Sequence, residues 1–345
     1  MSQPRSSWIC RRPRTATPWM SSMGPGRCIL RSVHSLSLPA RFLRGRPMRS
    51  AVSRVLVVGG AGLLGQYLVD EARRRGHEVL ASHRGPPPSG TGAAWLRLDL
   101  RDRHAIADVI RDARPEIVIN AAAMTDVDAC EDRFDEARAV NARAVGALAE
   151  ASRRAGAAFV HVSTDYVFDG SGPATETTQP RPLNLYGKTK LEGEMLAFAA
   201  HPEALLLRLS ALFGWNRLSA RPNAVTWILD RLRAGEEARL FEDQRVTPTY
   251  AGTAAAAAYD LAAARSTGIF HVACRDCLSR VEMGQRIAEV FGIRGPRIVP
   301  IPMASVALKA PRPKAPCLVV RKLEETLKRD MPAFRAALDD MKASE

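Results

Sequence analysis

The chain has 345 residues, 46% of them hydrophobic and 25% charged, a globular composition that excludes a disordered or fibrous protein and fits one large or two ordinary domains. No apolar run approaches the ~18 residues of a membrane-spanning helix. The net charge of +14 suggests a nucleic-acid partner, but residues 1–53 hold ten arginines, no lysine and no acid, which leaves 40 basic and 36 acidic residues in the body and removes that reading.

Residues 1–53 show neither helical nor strand periodicity and are rich in Arg, Ser and Pro. An acid-free, Arg/Ser-rich N-terminus matches an organellar transit peptide. The alternative is a start codon placed too early, with Met48 opening the protein, and this is preferred because the first strand follows six residues later. Either way the leader is set outside the fold.

The body then alternates strands and helices. Arg54–Val58 is a short β-branched run, read as a buried strand. Glycines follow at once, then an amphipathic helix through about Arg75. Glu78–Ser82 is a second strand. A Pro/Gly-rich loop, Gly85 to Gly92, leads to a third at Trp95–Leu98. Asp102–Asp112 reads as a helix, Glu116–Asn120 as a strand, Glu131–Ala155 as one long helix and Ala158–Val162 as a strand. A helix over Tyr186–Ala199 and a strand at Ala204–Arg208 complete the set. Such alternation predicts a doubly wound parallel α/β sheet of Rossmann type. After Gly214 the rhythm loosens, although Ala251–Ala264 and Gly268–Ala273 still read as helix and strand. Pro300, Pro302, Pro311, Pro313 and Pro316 then interrupt the chain. The expected division is an NAD(P)-binding domain of residues 54–213 plus about 240–273, and a smaller substrate domain of about 214–239 plus 274–345.

Six cysteines in a chain this long make no disulfide framework. Cys10 and Cys28 fall in the leader, Cys130 and Cys317 stand alone, and Cys274 and Cys277 form a lone CxxC. Zinc sites need four ligands, so no metal site is expected.

Gly59, Gly62 and Gly65 form GxxGxxG between the first strand and the first helix. A tight turn there needs residues without side chains, and the helix N-terminus presents free N–H groups to a pyrophosphate. With a second strand about 20 residues on, the pattern points to a dinucleotide. An acid at the end of that strand would accept bonds from a ribose 2′-hydroxyl. This chain has Ser82-His83-Arg84 instead, and Arg84 suits a 2′-phosphate, which selects NADPH, with NADH as the alternative. Asp99-Leu100 follows the third strand, where an adenine edge can be hydrogen-bonded, and Ala121-Ala122-Ala123 follow the fourth, where small residues let a cofactor pass close to the backbone.

Tyr186 and Lys190 stand at i and i+4 and share a helix face. An ammonium beside a phenol lowers the phenol's pKa, and the pair can deliver a proton to a carbonyl oxygen while hydride reaches its carbon. Thr164, at the end of the fifth strand, can hydrogen-bond the same oxygen.

These residues carry a family resemblance. GGAGLLG (Gly59–Gly65), NAAAMTDVDACE (Asn120–Glu131), VNARAVGALA (Val140–Ala149), STDYVFDG (Ser163–Gly170) and PLNLYGKTKLEGE (Pro182–Glu194) resemble the dTDP-4-dehydrorhamnose reductase (RmlD-like) family of the extended short-chain dehydrogenase/reductase superfamily. QRVTPTYA (Gln244–Ala251) and Arg312-Pro313 add weaker support. The resemblance implies that Tyr186 is the proton donor, Lys190 binds the nicotinamide ribose and tunes Tyr186, and Thr164 orients a 4-keto group. It implies cofactor contacts at Gly59, Leu63, Leu64, Asp99, Leu100, Ala121, Ala122, Ala123, Tyr186 and Lys190, beside Gly62, Gly65 and Arg84 read from the glycine turn and the second strand, and substrate contacts at Thr125, Val127, Thr164 and Asp165. Asn141 reads as a helix residue that steadies the site. The implied activity is NAD(P)H-dependent reduction of a deoxy sugar nucleotide, with dTDP-4-dehydro-L-rhamnose as leading substrate, in a cytoplasmic protein with no membrane or nucleic-acid partner. A homodimer and a Mg²⁺ ion stay open. So do two alternatives: a non-catalytic NADP-binding regulatory subunit like the methionine adenosyltransferase β subunit, and an NDP-sugar epimerase or dehydratase. One departure bears on the sugar. Ala211 stands where the bacterial reductases often carry an aromatic residue, and Trp215, four residues on, need not substitute.

Overall fold

The computed structural model describes residues 52–85, 88 and 93–345. The readings on residues 1–51, with Cys10, Cys28 and the Met48 start, lie outside the described residues, as does most of the Pro/Gly-rich loop. One boundary is corrected at once: Ser53, assigned to the leader, is buried, with its N–H donating to His77 Nδ1 at 3.2 Å.

Seven parallel strands form the central sheet. They are β1 (Arg54–Val58), β2 (Glu78–His83), β3 (Ala94–Arg97), β4 (Ile117–Asn120), β5 (Ala158–Thr164), β6 (Leu205–Leu209) and the strand Gly268–His271. Their spatial order runs from Gly268–His271 through β6, β5, β4, β1 and β2 to β3. A strand covered on both faces reads as a continuous apolar run, and Val55 to Val58 are fully buried. Alternate residues supply the two faces. Val55, Val57, Ile119, Val160 and Leu207 pack under helix α1 (Leu63–Arg74) and the Ala-rich helix Ala251–Ala263. Leu56, Val58, Val118, Phe159 and Leu206 pack under α2 (Arg103–Ala113) and α5 (Ala144–Ala155). Strand order reverses between β1 and β4, and this is where such sheets open a crevice at their C-terminal edge.

The helix expected over Glu131–Ala155 is broken. The structure has α3 (Val127–Asp132), α4 (Phe134–Arg138), a π-turn at Ala139–Arg143 and then α5. Arg133 leaves helical geometry at φ −121°, ψ 49°. The wider turn holds Asn141 inward: its Oδ1 accepts the Met124 N–H, and its Nδ2 donates to Met124 O and Thr189 Oγ1.

The C-terminal part does not build a separate core. The apolar cluster under α1 runs from Val55 to Met341 without interruption. Short pairings hold the segment: Ala238–Phe241 with Ile298–Ile301, and Arg245–Val246 with Leu278–Ser279. The cysteine reading is corrected here. Cys317 is not alone but bonded to Cys277, and Cys274 is a buried free thiol that burial pushes up to about 12.

The glycine turn gives a sharp test of this packing. A Cβ on Gly65 would lie 2.1 Å from Gly59 O and 2.7 Å from Gly60 Cα, whereas one on Gly62 would meet only Gly59 O, at 3.3 Å. Overpacking costs about 1–3 kcal/mol, so Gly65→Ala should lower the thermal midpoint by roughly 2–5 °C. Gly62→Ala, at an ordinary φ of −77°, should stay within about 1 °C of the parent. Equal loss in both variants would contradict the assignment.

Candidate active site

A cleft of about 870 Å³ opens at the C-terminal edge of the sheet. Its floor is the first turn. Gly59 sits at φ +80°, and a Cβ there would lie 2.8 Å from Ala122, so both residues must be small. The Gly59 N–H is held by Ser82 Oγ at 3.0 Å. Gly62 caps α1 without a side-chain hydrogen bond, so the first-turn N–H groups remain free for an anion. Leu63, Leu64, Arg84, Leu100 and Ala121 to Ala123 line the same cleft. Gly65 does not. It lies beneath the turn, where its missing side chain lets α1 approach Gly59 and Gly60. Asp99 reaches the cleft, but its carboxylate is forked by Arg101, whose hydrogen bonds hold it down at about 2.

The other half of the cleft is built on α6 (Leu185–Ala200). Asn184 caps that helix. Its Oδ1 accepts the Gly187 N–H at 2.8 Å and its Nδ2 donates to Pro311 O. Glu131 Oε1 accepts the Leu185 N–H, satisfying a second free donor. Tyr186 thus enters the cleft from the first turn of α6 and Lys190 from the second.

Thr164 ends β5. Its Oγ1 accepts the Tyr166 N–H and donates to Asp165 Oδ1 at 3.0 Å, while Asp165 Oδ2 accepts from Ser210 Oγ at 2.6 Å. Burial raises Asp165 to about 6 against the pull of those two hydroxyls and of Arg280. Burial also raises the Tyr186 phenol well above its usual range, opposed by a hydrogen bond with Thr164. The edge of the Tyr166 ring meets Tyr186, with centroids 5.6 Å apart.

Lys190 is fully enclosed. Its Nζ donates to Val162 O at 2.6 Å and stands 3.3 Å from His161 Nε2. Behind it, Asn120 links His161 Nδ1 to the Ala122 N–H. Burial draws Lys190 down to about 8, with Glu194 opposing. The Lys190 Nζ is turned to Val162 O and His161, and burial outweighs the hydrogen bond with Thr164 at the Tyr186 phenol.

The structure brings Tyr186, Lys190, Thr164, Asp165, Thr125 and Val127 into one cleft, with every expected cofactor residue except Gly65. Trp215 does not replace the missing aromatic: its Nε1 donates to Met341 O and its ring packs on Phe291. Ala211 lines the cleft at φ +41°.

Several residues escaped the sequence reading. Glu194, one turn beyond Lys190, takes a two-pronged bond from Arg208 (2.9 and 2.6 Å) and a third from Ser163 Oγ at 2.5 Å. The pair is 2% and 3% exposed. Two signals were present: the ladder Tyr186, Lys190, Glu194 at i+4 steps, and one arginine in the strand Leu205-Leu206-Leu207-Arg208-Leu209. Arg280 also lines the cleft, from far along the chain, and nothing in the sequence marked it.

Comparison with known proteins bears on the cleft as a whole. The family model described as RmlD substrate binding domain matches residues 53–345. The "Probable low-salt glycan biosynthesis reductase Agl14" of Haloferax volcanii is 36% identical over 82% of this chain and 98% of its own length. A dTDP-4-dehydrorhamnose reductase of Mycobacterium tuberculosis is 34% identical over 77% of this chain and 84% of its own length. The crystal structure of dTDP-4-dehydrorhamnose reductase from Bacillus anthracis in complex with NADP superposes with a TM-score of 0.76 at 26% identity, covering 85% of this chain and 99% of the other.

Two outcomes follow from the electrostatics. Removing one partner of a buried ion pair costs about 3–5 kcal/mol, so Arg208→Met and Glu194→Gln should each lose that much in urea unfolding. The double variant should recover a large part. Single losses under about 1 kcal/mol would contradict the role given to the pair. The second concerns Asp165. Its folded pKa of about 6 exceeds that of the unfolded chain, so the native state binds this proton more tightly, and the contribution of this group to stability falls as pH rises from about 4 to 6. Asp165→Asn should flatten that slope in unfolding measured across the window; an unchanged slope would refute the shift.

Proposed function

The chain belongs to the RmlD substrate binding domain family, within the extended short-chain dehydrogenase/reductase superfamily, and from that premise we propose that it reduces the 4-keto group of a deoxy sugar nucleotide with NADPH. The observation that carries this reading is the convergence of Tyr186, Thr164 and Lys190 in the cleft that also holds the open glycine turn.

The residues present fit a nicotinamide nucleotide. A Cβ at Gly59 would fill the floor of the cleft, and the uncapped start of α1 offers free N–H donors to a pyrophosphate. Such a group, when bound, supplies the hydride. Gly59, Gly62, Leu63, Leu64 and Ala121 to Ala123 would hold it along the turn, with Lys190 at the ribose and Asp99-Leu100 near the adenine. Arg84, with no acid beside it at the end of β2, supports NADPH over NADH. The crystal structure with NADP among the similar proteins supports the same choice.

Tyr186 then acts as general acid. Its proton, kept on the phenol by burial, passes to the keto oxygen. Thr164 turns its hydroxyl from Asp165 toward that oxygen and holds it in line. Asp165, kept in place by Ser210, receives the Thr164 hydroxyl again once the oxygen is protonated. Thr125 and Val127, with the segments 214–239 and 274–345, form the substrate side. The leading substrate is dTDP-4-dehydro-L-rhamnose, supported by the names of the similar proteins. Ala211 leaves more room for the sugar than an aromatic residue would. The complete Tyr–Thr–Lys set favours turnover over a purely regulatory role, and the missing acid after β2 weighs against an NAD-retaining epimerase.

The test is NADPH oxidation coupled to the enzymes that generate the 4-keto-6-deoxy sugar nucleotide. Turnover supports the reading. Tight NADPH binding without turnover on any such sugar would overturn it. General acid catalysis contributes about 10²- to 10⁴-fold, so Tyr186→Phe should lower kcat by roughly that factor with little change in NADPH affinity. Lys190→Ala should weaken NADPH binding as well. Near wild-type kcat in Tyr186→Phe would end the catalytic assignment.

A further inference from the structure

Arg280 opens the helix Arg280–Phe291 and reaches the cleft from the C-terminal part of the chain. Neutral groups hold it. Its N–H and Nε donate to Gln244 O and Oε1, at 3.2 and 3.0 Å, and its Nη1 rests 3.8 Å from Met283 Sδ. Gln244 is itself buried and anchored to Pro313 O. No carboxylate lies within ion-pair distance of Arg280 among the described residues. The buried Arg208, by contrast, is forked to Glu194, and Arg312 to Asp128. The acid that acts on Arg280 most closely within the cleft, Asp165, already accepts from Thr164 and Ser210. Burial accordingly depresses the guanidinium below its usual range.

A guanidinium carries five N–H donors in a fixed fork. At Arg280 one is given to Gln244 and one touches a thioether, so the remaining face is presented to the cleft. Half-buried on the cleft wall, with Asp165 acting on it from beyond ion-pair distance, the guanidinium keeps donors that an anionic ligand can take up. The helix start behind it offers no competing site, because Ser279 and Glu282 form a closed capping box.

We propose that Arg280 is the substrate-side anion receptor of this cleft and binds the diphosphate of the sugar nucleotide. The assignment rests on the reductase reading above and specifies its substrate end. One observation and one constraint of substrate shape place the anion. Arg280 lines the same cleft as Tyr166, whose ring abuts Tyr186. In a 4-keto pyranosyl nucleotide the keto carbon and the anomeric phosphate lie on opposite sides of one six-membered ring, which brings the phosphate toward that cation when the keto oxygen meets Tyr186. The planar fork also matches phosphate oxygens in a way an ammonium does not.

The experiment is calorimetric titration of the NADPH-loaded full chain with dTDP, UDP, UDP-glucuronic acid and thymidine, in the parent, Arg280→Gln and Arg280→Lys. A charge-assisted contact is worth about 1.5–3 kcal/mol, so Arg280→Gln should weaken dTDP and UDP by roughly 10- to 100-fold. Thymidine and NADPH binding should be unchanged, and Arg280→Lys should keep part of the affinity. Should Arg280→Gln lose NADPH binding through misfolding, Arg280→Lys decides: it keeps the charge and loses the fork, so a several-fold loss on the diphosphates supports the assignment. Parent-like diphosphate affinity in the folded variants overturns it and leaves the reductase reading intact. An Arg280-dependent preference for the uronate over UDP assigns the anion to a sugar carboxylate and overturns the diphosphate. A parent protein that takes NADPH but no nucleoside diphosphate overturns both readings together.

Discussion

The ion pair between Glu194 and Arg208 fixes the half of the cleft that carries Tyr186, Lys190 and Thr164. Glu194 sits on the same face of α6 as Tyr186 and Lys190, eight and four residues further along. It reaches across to β6 through Arg208 and to β5 through Ser163, the residue before Thr164. One carboxylate therefore joins the helix that carries the phenol and the amine to the strand that carries the threonine. Its burial makes the joint stiff: neither charge can leave for water without stranding the other. The Arg208 guanidinium also lies over the Phe168 ring, 5.0 Å from its centroid, which ties in the segment after Thr164. Positioning of this kind matters because proton transfer needs donor and acceptor at hydrogen-bond distance.

Charge is arranged around the cleft to the same end. The acids near it are quenched: Arg101 holds Asp99, and two hydroxyls hold Asp165. The cations face the other way. Among the described residues Lys190 is hydrogen-bonded to the Val162 carbonyl and His161 and Arg280 to Gln244, and the start of α1 has no side-chain cap. Positive groups that keep donors facing a cleft are stabilised by anionic ligands. The proposed ligands, a phosphorylated dinucleotide and a diphosphate sugar, carry phosphate at both ends of the cleft.

Much of this architecture was legible in the chain. β-branched runs separated by helical segments dictate a parallel sheet, and the glycine turn after β1 marks the edge where the cleft opens. The tyrosine–lysine spacing places both side chains on one helix face. Three kinds of feature were harder to read. Gly65 reads as a ligand residue, but it lies beneath the turn, where an added Cβ would fall 2.1 Å from Gly59 O. The π-turn around Asn141 goes with bonds to Met124 and Thr189, 17 and 48 residues away, contacts that local helix preference does not contain. Arg280 and the Cys277–Cys317 pair depend on how the C-terminal segment folds back over the sheet, where pairings such as Arg245–Val246 with Leu278–Ser279 are too short to show a pattern.

The central claim is that hydride and proton are added across one carbonyl, at the cleft where Tyr186 and Thr164 meet. The direct measurement uses NADPH deuterated at its transferable position and a 4-keto-6-deoxy sugar nucleotide, with the product followed by NMR. The account predicts one deuterium per turnover, bound to the former keto carbon and in a single configuration. Deuterium retained by the cofactor, or found at any other carbon of the sugar, would contradict it.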